Sequence, residues 1–401
     1  MTADHPVYLS ALGILSALGR GKEEVRENLF AGRRPGVVSR SDLLVDGAPV
    51  FVGQVEGPLP QGPAELSAYA SRNLGLTIAA ADEIRTEIDD AITRYGRSRI
   101  AVVMATCTSG IAEGEIALKR AMTDGALPRD FDVRVQEIGG TSEALARYLN
   151  LGGPALSVST ACSSGAHALA MARRLIRTGL ADAVLAGGAD SLCRLTVNGF
   201  QALSAQSESI CNPFSRNRDG TMIGEGAAIF LMEKRESEIA LLGTGSSTDA
   251  YSMTAPEPEG KEVETAIRRA LDDAGLTSDA IDYVHLHGTG TLQNDAMESK
   301  VISRVFGAEV PCGSSKGQIG HTLGTAGAMG AAHCWLAAHS DNKDRFLPPH
   351  LWDGEADADM LSENLVSVGD RLDGSALGMF LSNAIAFGGN NATLIIGKAI
   401  R

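Results

Sequence analysis

Twice along this chain an apolar run ends in a turn of small residues that carries a reactive side chain and then opens an Ala- and Gly-rich helical pattern. The first run is Pro154 to Ser159, leading through Thr160-Ala161-Cys162-Ser163-Ser164-Gly165 into a segment with Ala166, Leu169, Ala170 and Ile176 at helical spacing. The second runs from Pro311 to Leu336, where Gly313-Ser314-Ser315-Lys316 leads through Gly320-His321 into Gly324-Thr325-Ala326-Gly327-Ala328. Helices of such small residues can pack backbone against backbone, and their repetition predicts two related halves around one core. Further strand patterns cover 7–12, 99–104, 183–186, 228–232, 283–286 and 393–396, with helical patterns over 67–95, 165–178, 261–274 and 327–338. That alternation is the signature of an α/β fold whose sheets are covered by helices on their faces. The charged run Glu233-Lys234-Arg235-Glu236 marks the boundary, giving halves of 1–240 and 241–401 without a Pro/Ser linker between them.

Composition excludes several classes of function. With 401 residues, 44% of them hydrophobic, the chain can bury a large core, and 46 glycines beside only 4% aromatics favour tight turns and close backbone packing. A net charge of −14 with no block of Lys and Arg argues against nucleic acid or an anionic membrane as partner. Six scattered cysteines form no C-x-x-C pair, so neither a disulfide framework nor a structural zinc site is expected, and a reducing cytoplasm fits best. The opening Met1 to Pro6 lacks a basic stretch followed by an apolar one, and no apolar run is long enough to span a bilayer.

Three residues stand out as chemistry. A cysteine at a strand-to-helix turn meets unpaired backbone N–H groups and a helix dipole, which predicts an exposed sulfur of lowered pKa at Cys162; a small buried core cysteine is the alternative. His287, in His287-Gly288-Thr289-Gly290-Thr291, and His321, in Lys316-Gly317-Gln318-Ile319-Gly320-His321, each follow an apolar strand in a Gly-rich loop. Either imidazole alone could be structural, whereas the set describes a nucleophile with two histidines. His285 and His287 form an H-x-H with no third ligand at suitable spacing, so no metal is expected. His167 and His333 read as packing or surface residues, and the other five cysteines as structural.

On these motifs, the chain resembles the elongating β-ketoacyl-acyl carrier protein synthases, Cys-His-His condensing enzymes of the thiolase fold, which implies two pseudo-duplicated halves forming a layered α-β-α-β-α core. The matching runs are TACSSG at Cys162, PFSRNRDG from Pro213 to Gly220, HGTGT at His287 followed by Asp295 and Glu298, the Lys316 to His321 run, and Phe387-Gly388-Gly389-Asn390-Asn391. The resemblance implies a decarboxylative Claisen condensation in fatty acid or polyketide synthesis. Cys162 would carry an acyl group delivered on the phosphopantetheine arm of an acyl carrier protein, with no permanently bound cofactor. His287 and His321 would donate hydrogen bonds to the enolate oxygen formed from a malonyl thioester. Lys316 would orient His321, the N–H groups of Cys162 and Phe387 would form a second oxyanion hole, and Phe387 with Phe200 would gate the site. Thr289, Thr291 and Gly388 would meet substrate, Ile111 would line the acyl pocket, and Glu298 and Asp295 would be structural carboxylates, Glu298 bonded to Lys316 or to backbone. A two-fold dimer, with an identical or a paralogous subunit, completes what the resemblance implies.

Two departures from the family pattern point to a specialised pathway such as polyene assembly. Ala384-Ile385-Ala386 precedes Phe387 where relatives carry Ser-Phe-Gly, which predicts a stiffer gate. No basic residue lies between Phe200 and Arg216, where relatives dock an acidic carrier. A non-catalytic chain-length-factor-like partner would have lost the cysteine, and an initiating enzyme or thiolase would have Asn at the position of His321 or a second reactive Cys.

Overall fold

The computed structural model describes residues 6–307, 309–360, 364–374 and 377–399, so most of the opening segment read above for a targeting signal, Met1 to His5, lies outside the described residues. Its main strands are β1 (Val7–Ser16), β2 (Ile100–Ala105), β3 (Ala155–Val158), β4 (Ala183–Asp190), β5 (Gly226–Glu233), β6 (Ile239–Thr248), β7 (Tyr283–His285), β8 (Cys312–Gly313), β9 (Met379–Ile385) and β10 (Asn390–Lys398). The helices that matter here are α1 (Arg72–Glu83), α2 (Arg85–Tyr95), α3 (Ile111–Asp124), α4 (Gly140–Tyr148), α5 (Ser164–Arg177), α6 (Arg194–Ala202), α7 (Lys261–Ala274), α8 (Leu292–Phe306) and α9 (Ala326–Ala338).

Strand order repeats. Read inward from its two edges, the sheet runs β3-β2-β4-β5-β1 and β8-β7-β9-β10-β6. In each series the outer three strands are parallel and the inner two antiparallel to their neighbours. The series meet where β1 pairs with β6 through Val7 to Leu241 and Tyr8 to Ala240 alone. The outermost strand of each series, β3 or β8, feeds the stretch that holds one reactive turn and the Ala/Gly helix after it, α5 or α9.

Those two helices form the central layer: α5 packs on β2, β4 and α9, while α9 packs on β9, β10 and α5. Helices α1 and α4 cover the outer face of one series, and α7, backed by α8, covers that of the other. This is the α-β-α-β-α layering of the thiolase fold. The helix crossing is built from glycine on both sides. A Cβ on Gly165 would fall 2.5 Å from the Ala328 amide nitrogen, and one on Gly327 would fall 2.5 Å from that of Ala166. The crossing is therefore as close as two backbones allow, and it brings the starts of α5 and α9 together.

The helical pattern over 67–95 is not one helix. It divides into a 3₁₀ turn (Ala64–Tyr69), α1 and α2. The Ser71 side chain caps α1 by accepting from the Leu74 N–H, and the chain turns at Ile84. There the neighbouring Glu83 carboxylate accepts the backbone N–H groups of Ile14 at 2.7 Å and Lys22 at 2.6 Å, which ties the end of α1 to β1.

Candidate active site

Cys162 stands on a sharp turn between β3 and α5. Ala161 takes a left-handed conformation, φ 52°, unusual for a residue with a Cβ. Side chains hold it there: the Ser164 hydroxyl accepts the Thr160 N–H at 2.8 Å and donates to the Ala161 carbonyl at 2.5 Å, and Ser163 donates to the Thr160 carbonyl at 2.9 Å. The serines of the motif thus shape the turn, leaving the cysteine free to point into the cavity.

His321 arrives from the other series. Its backbone is pinned to the segment before β5, with its N–H donating to Met222 and its carbonyl accepting from Gly224 at 2.9 Å. Gly320, at φ 74°, passes so near Gly224 that a Cβ would lie 2.9 Å from that nitrogen. His321 Nε2 is consequently 3.1 Å from Cys162 Sγ. His287 follows β7, and its ring lies 5.3 Å from that of His321 at 83°. One ligand atom from each of Cys162, His287 and His321 falls within a span of 4.8 Å.

The carboxylates hold the loop that carries His287. Glu298 on α8 accepts the backbone N–H groups of His287 at 2.7 Å and Gly288 at 2.8 Å. Asp295, one turn earlier on the same helix, accepts those of Thr289, Gly290 and Phe214. Each stabilises loop backbone, and of the two alternatives raised for Glu298 its hydrogen bonds follow the backbone one. Lys316 also departs from expectation. Its ammonium donates to the His287 carbonyl and lies 3.4 Å from His287 Nδ1, so the imidazole it orients is His287 and not His321.

The electrostatics overturn the expected exposed thiolate. Cys162 is buried, and burial pushes its thiol up to about 11, against the opposing pull of the Lys316 charge and the Phe387 N–H. At neutral pH it is a thiol beside a base. Burial, reinforced by Lys316, holds His287 and His321 well below the ordinary imidazole range, so both are neutral. Lys316 is itself lowered by burial, and Glu298 is raised to about 7 for the same reason.

The cavity of about 300 Å³ above these groups is lined by Cys162, His287, His321, Phe200, Phe387, Thr289 and Thr291 among others. The two threonine hydroxyls are 2.8 Å apart. Phe387 stacks on Phe200, ring centroids 5.5 Å apart, and Phe200 also meets His321 edge-on at 6.3 Å. The N–H groups of both Cys162 and Phe387 face the sulfur.

Two expected residues are not among those that line the cavity. Ile111 starts α3, half-buried, and Gly388 turns its N–H to the Met253 carbonyl at 2.8 Å. His333 is buried and not a surface residue; it shares the Ser315 hydroxyl with His285, at 3.0 and 3.1 Å. Ala386, φ −125°, has extended backbone that any residue adopts, so the missing glycine imposes no strain there. Leu203, Leu292, Thr254 and Pro256, which no sequence motif singled out, also line the cavity.

A buried cysteine with two neutral histidines, at the junction of two repeated sheet-and-helix units, defines a condensing enzyme of the thiolase class. The match to known proteins narrows this further. The N-terminal domain of beta-ketoacyl synthase matches residues 87–237 and its C-terminal domain residues 239–351, and the chain belongs to that family. Nodulation protein E of Rhizobium meliloti (strain 1021) is 30% identical over 98% of both chains. The 3-oxoacyl-[acyl-carrier-protein] synthase 2 of the same organism is 37% identical over 62% of each. Among solved structures, a chain from the complex of a ketosynthase with its chain length factor from Xenorhabdus doucetiae superposes with a TM-score of 0.93 at 41% identity, covering 100% of this chain and 99% of that one. A chain of the ishigamide ketosynthase/chain length factor gives 0.86 at 30% identity, with 99% and 100% covered. The protein is an acyltransferase that condenses thioesters as a 3-oxoacyl-[acyl-carrier-protein] synthase does. Among the described residues no helix is long and apolar enough to cross a membrane.

Proposed function

We propose that this chain is the catalytic ketosynthase subunit of a polyketide-type assembly, with its nucleophile in the half 1–240 and its two histidines in 241–401. It extends an acyl group held on Cys162 by one malonyl unit brought on the phosphopantetheine arm of a carrier protein. The observation that carries this reading is the convergence of Cys162, His321, His287 and Lys316 on one cavity.

In the first step the Cys162 sulfur attacks the acyl thioester carbonyl while His321 Nε2 takes its proton. The N–H groups of Cys162 and Phe387 stabilise the oxyanion. The carbon–sulfur bond to the pantetheine arm breaks, and the departing sulfur takes the proton from His321. In the second step a malonyl thioester loses carbon dioxide, and the electron pair of the broken C–C bond becomes an enolate. His287 Nε2 donates to the enolate oxygen, because Lys316 beside Nδ1 leaves the ring proton on Nε2. Between the two steps, while the pantetheine arms exchange and water enters, the neutral His321 ring gives up its Nδ1 proton to solvent and takes one at Nε2, and in that tautomer it supplies the second donor. The enolate carbon then attacks the Cys162 thioester, forming the new C–C bond and breaking the C–S bond, and the released thiolate takes from solvent the one proton that the overall reaction consumes.

A paralogous subunit of the chain-length-factor kind is the proposed partner, consistent with the assemblies in which the two relatives above were solved. Strand β3 lies at the sheet edge, with Ala155 and Leu156 exposed along it, and offers that partner a strand to pair with. The retained cysteine and histidines separate this chain from such a partner. Intact-mass analysis after incubation with acyl-carrier proteins of graded acyl length, alone and with a co-expressed partner, tests the reading. A mass gain at Cys162, lost in Cys162→Ala, is expected, and no gain from any donor would overturn it.

A further inference from the structure

Asp190, the last residue of β4, is fully buried, and its hydrogen bonds divide between the loop that follows β2 and the start of α9. Its Oδ1 accepts from the Cys107 N–H at 2.7 Å, the Thr108 N–H and hydroxyl at 2.9 Å each, and the Thr106 hydroxyl at 3.1 Å. Its Oδ2 accepts from the N–H and hydroxyl of Thr325, at 2.8 and 2.9 Å. Thr325 opens α9, one short 3₁₀ turn after His321. On the other side, the Cys107 thiol meets the hydroxyl of Ser164, which holds the turn at Thr160 and Ala161 in place. Gly324 fits between the arms because a Cβ there would lie 3.0 Å from both Asp190 Oδ2 and the Cys107 amide nitrogen.

We propose that Asp190 is a positioning residue, a two-armed clamp that sets the distance between the Cys162 turn and the His321 segment. The proposal rests on the acyl-transfer role given to Cys162 and His321. Every contact to the carboxylate is a donor, so the group works as an anion although burial raises its pKa. The carboxylate binds the His321 segment directly at Thr325 and reaches the Cys162 turn by way of Cys107 and Ser164, and a displacement of about 1 Å between nucleophile and base is enough to cost on the order of 100-fold in rate. The charge has a second effect: it opposes ionisation of Cys162, together with burial and against Lys316 and the N–H groups of Cys162 and Phe387, with neutral His321 and His287 completing the surroundings. The clamp therefore aligns the thiol while keeping it protonated until His321 takes the proton.

Asp190→Asn separates the two effects. Alkylation of Cys162 by iodoacetamide, followed against pH, is expected to show a midpoint shifted to lower pH, whereas single-turnover acyl transfer slows by about tenfold or more with KM unchanged. A merely structural aspartate would not make the thiol easier to ionise while slowing its transfer. Thr325→Val, which removes one arm's hydroxyl contact, is expected to slow transfer, and Thr325→Ser to restore it; this pair decides the matter if Asp190→Asn does not fold. Unchanged midpoint and unchanged transfer in folded Asp190→Asn, or full activity in Thr325→Val, overturns the clamp. A wild-type protein inert to every acyl thioester defeats the condensing role instead, and the alkylation midpoints then judge the clamp by themselves.

Discussion

His321 Nε2 lies 3.1 Å from Cys162 Sγ across 159 residues of sequence, and the contact crosses the boundary between the two repeated strand series. On the proposed mechanism, neither series performs acyl transfer by itself. One supplies a thiol that burial holds up at about 11, and the other supplies a neutral imidazole, the base proposed to take its proton. The Gly165 and Gly327 crossing of α5 and α9 brings these partners within reach, so duplication and catalysis share one structural cause.

That dependence predicts the behaviour of His321→Ala. With no base beside a thiol of such high pKa, acyl transfer to Cys162 is expected to slow by about 10²- to 10⁴-fold. Reaction with iodoacetamide at high pH, where the thiol ionises unaided, persists. Single-turnover acylation followed by intact mass measures the first and peptide mapping the second; transfer near the wild-type rate in the variant refutes the general-base assignment.

Lys316→Ala is expected to act on the other half-reaction. The ammonium donates to the His287 carbonyl and lies beside Nδ1, so its loss frees the ring proposed to donate to the enolate oxygen. Carbon dioxide release from malonyl-carrier protein should fall by about 100-fold, in the range found for a lost oxyanion donor, while Cys162 still takes an acyl group. Lys316→Arg is not expected to rescue, because a planar guanidinium cannot occupy the place of a point ammonium between a carbonyl and a ring nitrogen. Equal losses in acylation and decarboxylation would count against a role confined to His287.

Much of this was legible in the sequence because the features that build it are local. The turn around Cys162, the glycines of the helix crossing and the loops holding His287 and His321 are each contained in a short run. What escaped depends on burial, which no local pattern reports. The sequence context predicts an exposed, acidic thiol, yet the stacked Phe200 and Phe387 and the second half of the fold enclose it, and desolvation outweighs the Lys316 charge and the N–H groups of Phe387 and Cys162. Lys316 is close to His321 in sequence but reaches His287, since the four-residue helix Lys316–Ile319 turns its side chain away from the following loop. Strand β9 was missed because Ser382 and Asn383 interrupt its apolar run; in the sheet Asn383 takes the hydroxyl of its cross-strand partner Thr393 at 2.9 Å. Asp190 did carry a signal, a lone carboxylate ending the apolar strand before Ser191.

Glu298 predicts a pH dependence of stability. Burial raises its carboxyl from 4.5 to about 7 in the folded protein, so between those values the folded chain keeps a proton that the unfolded chain has released. Stability from this group is complete below the unfolded value and is lost as pH rises through the folded one, with an upper bound of about 3 kcal/mol. Glu298→Gln lowers Tm overall, because its amide NH₂ must face one of the two backbone N–H groups of His287 and Gly288. The deficit relative to wild type should shrink between pH 5 and 8. Thermal melts of both proteins across that range check the sign, and a deficit that grows with pH contradicts the raised carboxyl.

The gate proposed for Phe387 and Phe200 supplies the last prediction. Phe387 stacks on Phe200 above Cys162, and the residue before it, Ala386, sits in extended backbone that needs no glycine. The cost of having Ala there falls on movement: swinging Phe387 away requires its preceding hinge to leave this region, and a Cβ closes the positive-φ routes that glycine keeps open. Ala386→Gly is therefore expected to speed loading of long acyl groups several-fold while leaving short ones nearly unchanged, at a stability loss of about 0.4–1 kcal/mol from the freer unfolded chain. Phe387→Ala removes the gate ring itself and is expected to abolish the dependence of loading on chain length, since its N–H still faces the sulfur. Time-resolved acylation with a series of acyl lengths distinguishes the two variants. Identical rates for Ala386→Gly and wild type at every length would show that this hinge does not limit entry and that selection lies deeper, beyond the stacked pair.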